Sequence, residues 1–208
     1  MELDLLPISF SRRVTLCGTN VYPNPEFHPD RIMPEHDLLY IYYGEQKVGQ
    51  DDEVYTLQSG DLMFLRAGSH HFGPERCSVN LRSMFIHTNR LPDDRGPVQL
   101  TRTEAATYAS GRTLCLPTVI HCGQDEGISN MFKSIIDAYW SRRPDAERMQ
   151  TLQLNVLLNE LCHKALSSQQ PDDEWSMELI RLFREHPNLT YSLQELSQRT
   201  GMPERTLS

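Results

Sequence analysis

The chain has no basic excess. Its 208 residues carry 20 Lys and Arg against 28 Asp and Glu, a net charge of −8. That balance argues against a general attraction to nucleic-acid phosphate or to an anionic membrane. Cysteine is sparse and scattered: five residues, at positions 17, 77, 115, 122 and 162. The number is odd, and neither a CxxC pair nor zinc-finger spacing occurs. Reduced, mostly buried thiols are expected, as in a cytoplasmic protein, rather than a disulfide framework. No apolar run approaches the length of a membrane-spanning helix. The opening MELDLLPISF lacks a basic segment and a long apolar core, so a signal peptide is not expected. No Ser-His-Asp arrangement, glycine-rich phosphate loop or HExxH string is recognisable. The carboxylate pairs Asp51-Asp52, Asp93-Asp94 and Asp172-Asp173 sit in polar, turn-like stretches and read as solvated charge rather than acid–base pairs.

What is present falls into successive segments. Residues 1–122 show short apolar runs divided by turn residues, the pattern of a β-sandwich or barrel. Leu38–Tyr43, Val54–Leu57, Leu62–Leu65 and Val79–His87 are the clearest strands, and Tyr43-Gly44-Glu45 and Ser59-Gly60-Asp61 supply turns. The stretch from Pro23 to Pro34 holds four prolines, which predicts extended, turn-rich chain. Residues 123–167 read as two helices, near 125–142 and 146–166. Ile128, Met131, Phe132, Ile135, Ile136 and Tyr139 form one stripe, and Leu154, Leu157, Leu158, Leu161 and Ala165 form another. The second stripe is apolar enough to predict a two-fold dimer through the helical region. Residues 168–174 are a polar linker.

Residues 175–208 carry a distinct signature. Ser192-Leu-Gln-Glu195 is a capping box. A short helix follows, with Leu193 and Leu196 on one face. Gly201 is placed to stop it and Pro203 to start another. Helix, tight turn and second helix are what a helix-turn-helix needs to seat one helix in a major groove.

This segment resembles the start of the AraC/XylS family DNA-binding domain. The matching residues are Leu179, Ile180, Phe183, Leu189, Leu193, Glu195, Leu196, Gly201, Met202, Leu207 and Ser208. Ser197 stands where the family usually has alanine, and Pro203 where it usually has a capping serine. The order of β domain, helical pair, linker and helix-turn-helix start also matches that family. The resemblance implies a cupin-like sensor barrel, a helical dimerisation region and a partial DNA-binding domain. Glu204, Arg205, Thr206 and Ser208 would be the DNA-facing residues present. With only those, and with four Arg balanced by four Glu over residues 175–208, specific operator binding is expected of a longer form rather than of this chain.

Within the β domain, Gly60-Asp-Leu-Met-Phe-Leu-Arg66-Ala-Gly68-Ser-His70-His71 resembles the second cupin motif, with Arg66 in place of its proline. The upstream H-x-H half is largely absent: Asp30, Arg31, Ile32 and Met33 occupy its place, and Asp37 falls at its Glu position. A metal site needs three or four converging ligands, so no resident metal or cofactor is expected. His36, His71 and His87 remain as polar anchors of a ligand pocket. Strand parity predicts that Tyr40 and Tyr42 share the face of His36, with Phe64 and Phe85 as further aromatic wall. His70 should point away from His71, and Arg82 away from His87. His28, His121, His163 and His186 look incidental, and residues 1–30 are a candidate arm over the pocket mouth.

The expected function is a ligand-responsive transcription regulator without enzymatic activity. A small-molecule effector would bind the barrel, and the homodimer would meet DNA through its full-length form. The alternative is a metal-dependent cupin enzyme with a helical tail.

Overall fold

The computed structural model describes residues 1–123, 126–167 and 191–200. The chain divides into two compact units, Met1–Leu166 and Ser167–Ser208.

The first unit is built on antiparallel strands. A five-stranded sheet runs in the order β12 (Val119–His121), β7 (Asp61–Leu65), β4 (Glu35–Tyr43), β9 (Leu81–Asn89) and β2 (Val14–Tyr22). A four-stranded sheet holds β3 (Arg31–Ile32), β8 (His70–Phe72), β5 (Glu45–Gln50) and β6 (Glu53–Gln58). A third pairs β10 (Arg95–Gln99), β1 (Glu2–Pro7) and β11 (Thr113–Leu116). The turns at 43–45 and 59–61 form as their glycines predict, with Gly44 at φ 91° and Gly60 at φ 96°. At Gly60 a side chain is doubly excluded: a Cβ would come within 2.5 Å of the Gly123 carbonyl oxygen.

The five-stranded sheet is buried on both faces. On one, Leu39, Ile41, Met63, Leu65 and Leu81 meet Val48 and Leu57 of the four-stranded sheet. On the other, Leu38, Tyr40, Leu62, Phe64, Met84 and Ile86 pack against β1, β11 and the helices. This explains the unbroken run Leu38–Ile41, since a strand covered on both sides needs no polar alternation.

Helix α2 (Glu126–Trp140) buries Ile128, Phe132 and Ile135. Helix α3 (Ala146–Ser167) buries Leu154, Leu157, Leu158 and Leu161 completely within its own chain. Each such leucine contributes about 1.5–3 kcal/mol. The leucine stripe therefore serves the intrachain core, and the expectation that it forms a dimer seam is corrected. The outward side of α3 carries Leu152 and Val156 instead.

Two further corrections concern the β segment. Residues 1–30 are not a loose arm. β1 buries Leu3, Leu5 and Leu6, and β2 pairs along β9 from Val14 to Tyr22. Helix α1 (Arg102–Ala109) interrupts the β region, held by a capping box in which Glu104 N–H donates to Thr101 Oγ1 and Thr101 N–H to Glu104 Oε2. The Thr-Arg-Thr-Glu string at 101–104 was the legible signal for it.

In the second unit, helix α4 (Leu193–Thr200) opens on the expected capping box. Glu195 N–H donates to Ser192 Oγ at 3.2 Å, and Ser192 N–H donates to Glu195 Oε2 at 2.8 Å. Leu196 is buried and Leu193 exposed. The linker at 168–174 and the DNA-facing Glu204, Arg205, Thr206 and Ser208 lie outside the described residues.

Candidate functional site

The register of the five-stranded sheet decides which side chains share a pocket. Asp37 lies opposite His87, and Leu39 opposite Phe85. On the far side of β9, Leu16 lies opposite His87, Gly18 opposite Phe85 and Asn20 opposite Ser83. Directly opposed residues point to one face. The four-stranded sheet adds Arg31 and Gln46, and the preceding segment adds His28 and Pro29. All of these but Gly18 line a cavity of about 210 Å³.

Of its polar groups, His28, Asp37, Gln46, Ser83 and His87 are buried, and they are only partly satisfied. His87 Nε2 stands 3.4 Å from Asp37 Oδ2, and its Nδ1 3.7 Å from Glu35 Oε2. His28 Nε2 and His71 Nδ1 are hydrogen-bonded at 2.8 Å, one carrying the proton and the other accepting it. Arg31 pairs directly with His71 across β3 and β8, which directs the two side chains to the same side. Burial pushes the pKa of both His28 and His71 down to about 4. For His28 the neighbouring imidazole of His71 adds to the effect, and for His71 the charge of Arg31 does, while Asp37 opposes it in both. The pair is therefore neutral at pH 7. Arg31 Nε, Asp37 Oδ1, His71 Nε2 and Ser83 Oγ are buried without a hydrogen-bond partner. Such atoms are costly unless something polar meets them.

The expected site residues divide between two faces. His87 and Phe85 line this cavity, and His71 adjoins it through His28. His36, Tyr40, Tyr42 and Phe64 do not converge with them, which corrects the expectation drawn from strand parity. His36 stacks on Phe64 with centroids 4.9 Å apart, and Tyr40 stacks on Phe132 of α2 at 5.5 Å. Tyr42 packs against that same core. Alternation along β4 was read correctly, but both faces of the sheet are buried, so alternation alone could not say which one faced a cavity. Arg82 points outward as expected, over the ring of Tyr43. His70 also turns away, toward Asp30 at 2.7 Å.

His36 instead belongs to a structural network. Ala67 N–H donates to its Nδ1 at 3.0 Å, so Nε2 carries the proton and faces Asp94 Oδ2 at 3.1 Å. Asp94 also takes the fully buried Arg12 guanidinium and the Leu91 N–H. Burial alone would raise the Asp94 pKa, but the hydrogen bonds from His36, Arg12 and Leu91 outweigh it and hold the carboxyl at about 2. This network borders a second cavity of about 290 Å³ that also touches Asp4 and Arg66. Arg66 there is satisfied by Asp4 through bonds of 2.7 and 3.0 Å. With these charges already paired, this second cavity is the weaker candidate.

Sequence reasoning missed His28, Arg31, Ser83 and Asn20. His28 sits in a proline-rich stretch with no periodic signal, and its apposition to His71 spans 43 residues. A Cβ on Gly73 would come within 2.4 Å of the His28 backbone nitrogen, so Gly73 permits the approach. His121 bonds to Asp61 at 2.8 Å at the edge of the sheet.

Among the described residues, no group of three or more His, Cys, Asp or Glu side chains is arranged to hold a metal ion. His28 and His71 spend a nitrogen each on one another.

The face opposite the cavity connects to the helices. Tyr139 Oη donates to the Thr15 carbonyl at 2.9 Å, and Trp140 Nε1 to the Cys17 carbonyl at 3.2 Å. Strand β2 thus lines the cavity with Leu16 and Asn20 and grips the end of α2 through its backbone.

No protein-family model matches the chain. An HTH-type transcriptional regulator described as uncharacterized, YisR of Bacillus subtilis strain 168, is 19% identical over 196 residues, covering 87% of this chain. The chain spans 65% of that relative's length. Among solved structures, a conserved protein of unknown function from Streptococcus pyogenes is similar over 42% of this chain and 75% of its own, at 15% identity and a TM-score of 0.32. Oxalate decarboxylase of Bacillus subtilis is similar over 51% of this chain and 32% of its own, at 12% identity and a TM-score of 0.32. The chain is thus weakly similar in sequence to a transcriptional regulator, and its β architecture rests on its own strand order.

Proposed function

We propose that this chain is the sensing part of a ligand-responsive transcription regulator of AraC type. The observation that carries the reading is the buried polar cavity with unsatisfied groups, lined by the strand that grips α2. A small-molecule effector binding there would favour one arrangement of β2 and hence of the helical pair. A homodimer would carry that difference to DNA-binding regions in the helix-turn-helix segment. Support comes from the capping box and helix at 192–200, from the resemblance of residues 175–208 to the start of the AraC/XylS DNA-binding domain and from the regulator relative. No enzymatic step belongs to this reading. It places the protein in the cytoplasm. Among the described residues no helix is long and apolar enough to cross a membrane.

The test uses a chain extended to the relative's length. Gel shifts with DNA from upstream of its own gene should show sequence-dependent binding at physiological salt. Adding a small-molecule extract of the host should change that binding. The Asn20→Phe variant, which fills the cavity from a half-buried position, should bind DNA without responding to the extract. One equivalent of tightly bound iron, zinc or manganese together with substrate turnover would overturn the reading in favour of a cupin enzyme.

A further inference from the structure

Arg31 and Asp37 line the same cavity without pairing to each other. His28 lines it beside them. Asp37 is 2% exposed, and its Oδ1 has no partner. Among the described residues Arg31 forms no ion pair, and its Nε is buried without an acceptor. The His28–His71 pair is neutral and supplies no counter-charge, and His87 Nε2 meets Asp37 only at Oδ2, 3.4 Å away. A half-buried cation and a buried anion held apart in this way leave Arg31 Nε and Asp37 Oδ1 without partners.

The chemistry of an occupant follows from that pair. A simple anion would satisfy Arg31 and be repelled by Asp37. A simple amine would do the reverse. A neutral polyol would supply hydrogen bonds but neutralise neither charge. A molecule with both charges on neighbouring atoms answers the two together, through charge-assisted hydrogen bonds at each end. The cavity, about 210 Å³, is smaller than the roughly 300–1,000 Å³ typical of drug-sized pockets. Phe85 and Leu39 give it one apolar wall, and Ser83, Asn20 and Gln46 give it polar ones.

We infer that the cavity binds a small zwitterion of the α-amino-acid type, its carboxylate on Arg31 and its ammonium on Asp37. This rests on reading the cavity as the effector site. It adds the chemical class of the effector. Ser83 Oγ, buried in the cavity wall without a partner, remains to meet a polar side chain, which favours serine- or aspartate-like molecules over purely aliphatic ones.

Calorimetric titration of the 208-residue chain tests the inference. Glycine, L-alanine, L-serine and L-aspartate are the probes, with acetate, ethylamine and glucose as single-feature controls. At least one amino acid should bind at least tenfold more tightly than acetate, ethylamine or glucose. Arg31→Gln and Asp37→Asn should each weaken that binding tenfold or more, with unchanged circular dichroism. Should either variant fail to fold, the selectivity pattern of the unaltered chain still decides. Amino-acid binding that survives both substitutions in folded protein would overturn the assignment. Tighter binding of glucose or acetate would overturn the zwitterion and leave the effector site standing. Binding by none of the amino acids would overturn it as well, and the effector reading would then rest on the extract-dependent gel shift alone.

Discussion

His28 and His71 face each other at 2.8 Å inside the β domain, joined by a hydrogen bond between two neutral rings. Burial holds both pKa values near 4 against an ordinary 6.5. The unfolded chain therefore takes up protons below pH 6.5 that the folded chain refuses. Stability rises with pH wherever the unfolded state binds more protons. The contribution is complete above about pH 6.5, and it is lost as pH falls from there toward about 4. Arg31, Asp37, His70 and His87 are the charged or titratable groups acting on His71 in that window. Thermal melts should show a falling midpoint between those limits, and His71→Gln should flatten the slope. A midpoint independent of pH from 7 to 4.5 would contradict the neutral pair.

Asp94 governs a lower window. Its carboxyl is held at about 2 against an ordinary 3.8, so its stabilisation is present above about pH 3.8 and is lost as pH falls toward 2. At neutral pH, Asp94→Asn leaves the fully buried Arg12 guanidinium without its counter-charge. Breaking a buried pair on one side costs about 3–5 kcal/mol. Arg12→Met with Asp94→Asn should recover part of that loss, because no isolated charge remains. Urea denaturation of the single and double variants measures it, and a single-variant cost below about 1 kcal/mol would refute the assignment.

Gly73 admits the His28 backbone. A Cβ there would lie 2.4 Å from the His28 nitrogen and 3.1 Å from its Cα. Because the obstacle is backbone, relief requires moving the chain segment that carries His28. Gly73→Ala should cost about 1–3 kcal/mol, the usual range for overpacking, and should weaken any cavity ligand. A variant with native stability and native ligand affinity would show that the segment yields freely.

Two faces of α3 should respond oppositely. Leu158 is fully buried within its own chain, whereas Val156 is 53% exposed. Leu158→Glu should abolish folding, since it buries an unpaired charge. Val156→Glu should leave stability within about 0.5 kcal/mol and, if the outward face of α3 carries the dimer, convert it to monomer in light scattering. A folded Leu158→Glu protein would contradict the packing described.

Trp140 reports on the cavity through β2. Its indole N–H holds the Cys17 carbonyl while the adjacent Leu16 lines the cavity. Ligand binding should change its fluorescence, and the Trp140→Phe variant should lose that signal. An unchanged emission at saturating ligand would separate α2 from the cavity.

Local chemistry determined much of this protein. Glycine placed the turns at 44 and 60, helical spacing placed α2 and α3 within a few residues, and the capping box at Ser192–Glu195 formed as written. These features depend on neighbours only a few positions away. The site was less legible. His87, His71 and Phe85 were identifiable as residues that line or adjoin a cavity, but His36, Tyr40 and Tyr42 were grouped with them on parity alone. Parity sorts a strand into two faces and cannot rank them when both are buried, as the run Leu38–Ile41 is. The leucines of α3 posed the same ambiguity, because a partner chain and the chain's own sheet offer an apolar stripe identical chemistry. Only the tertiary structure brought His28 to His71, set Arg31 and Asp37 around one space and left them unpaired. Those relationships join residues from different strands and from the segment before β3, and long-range register decides them.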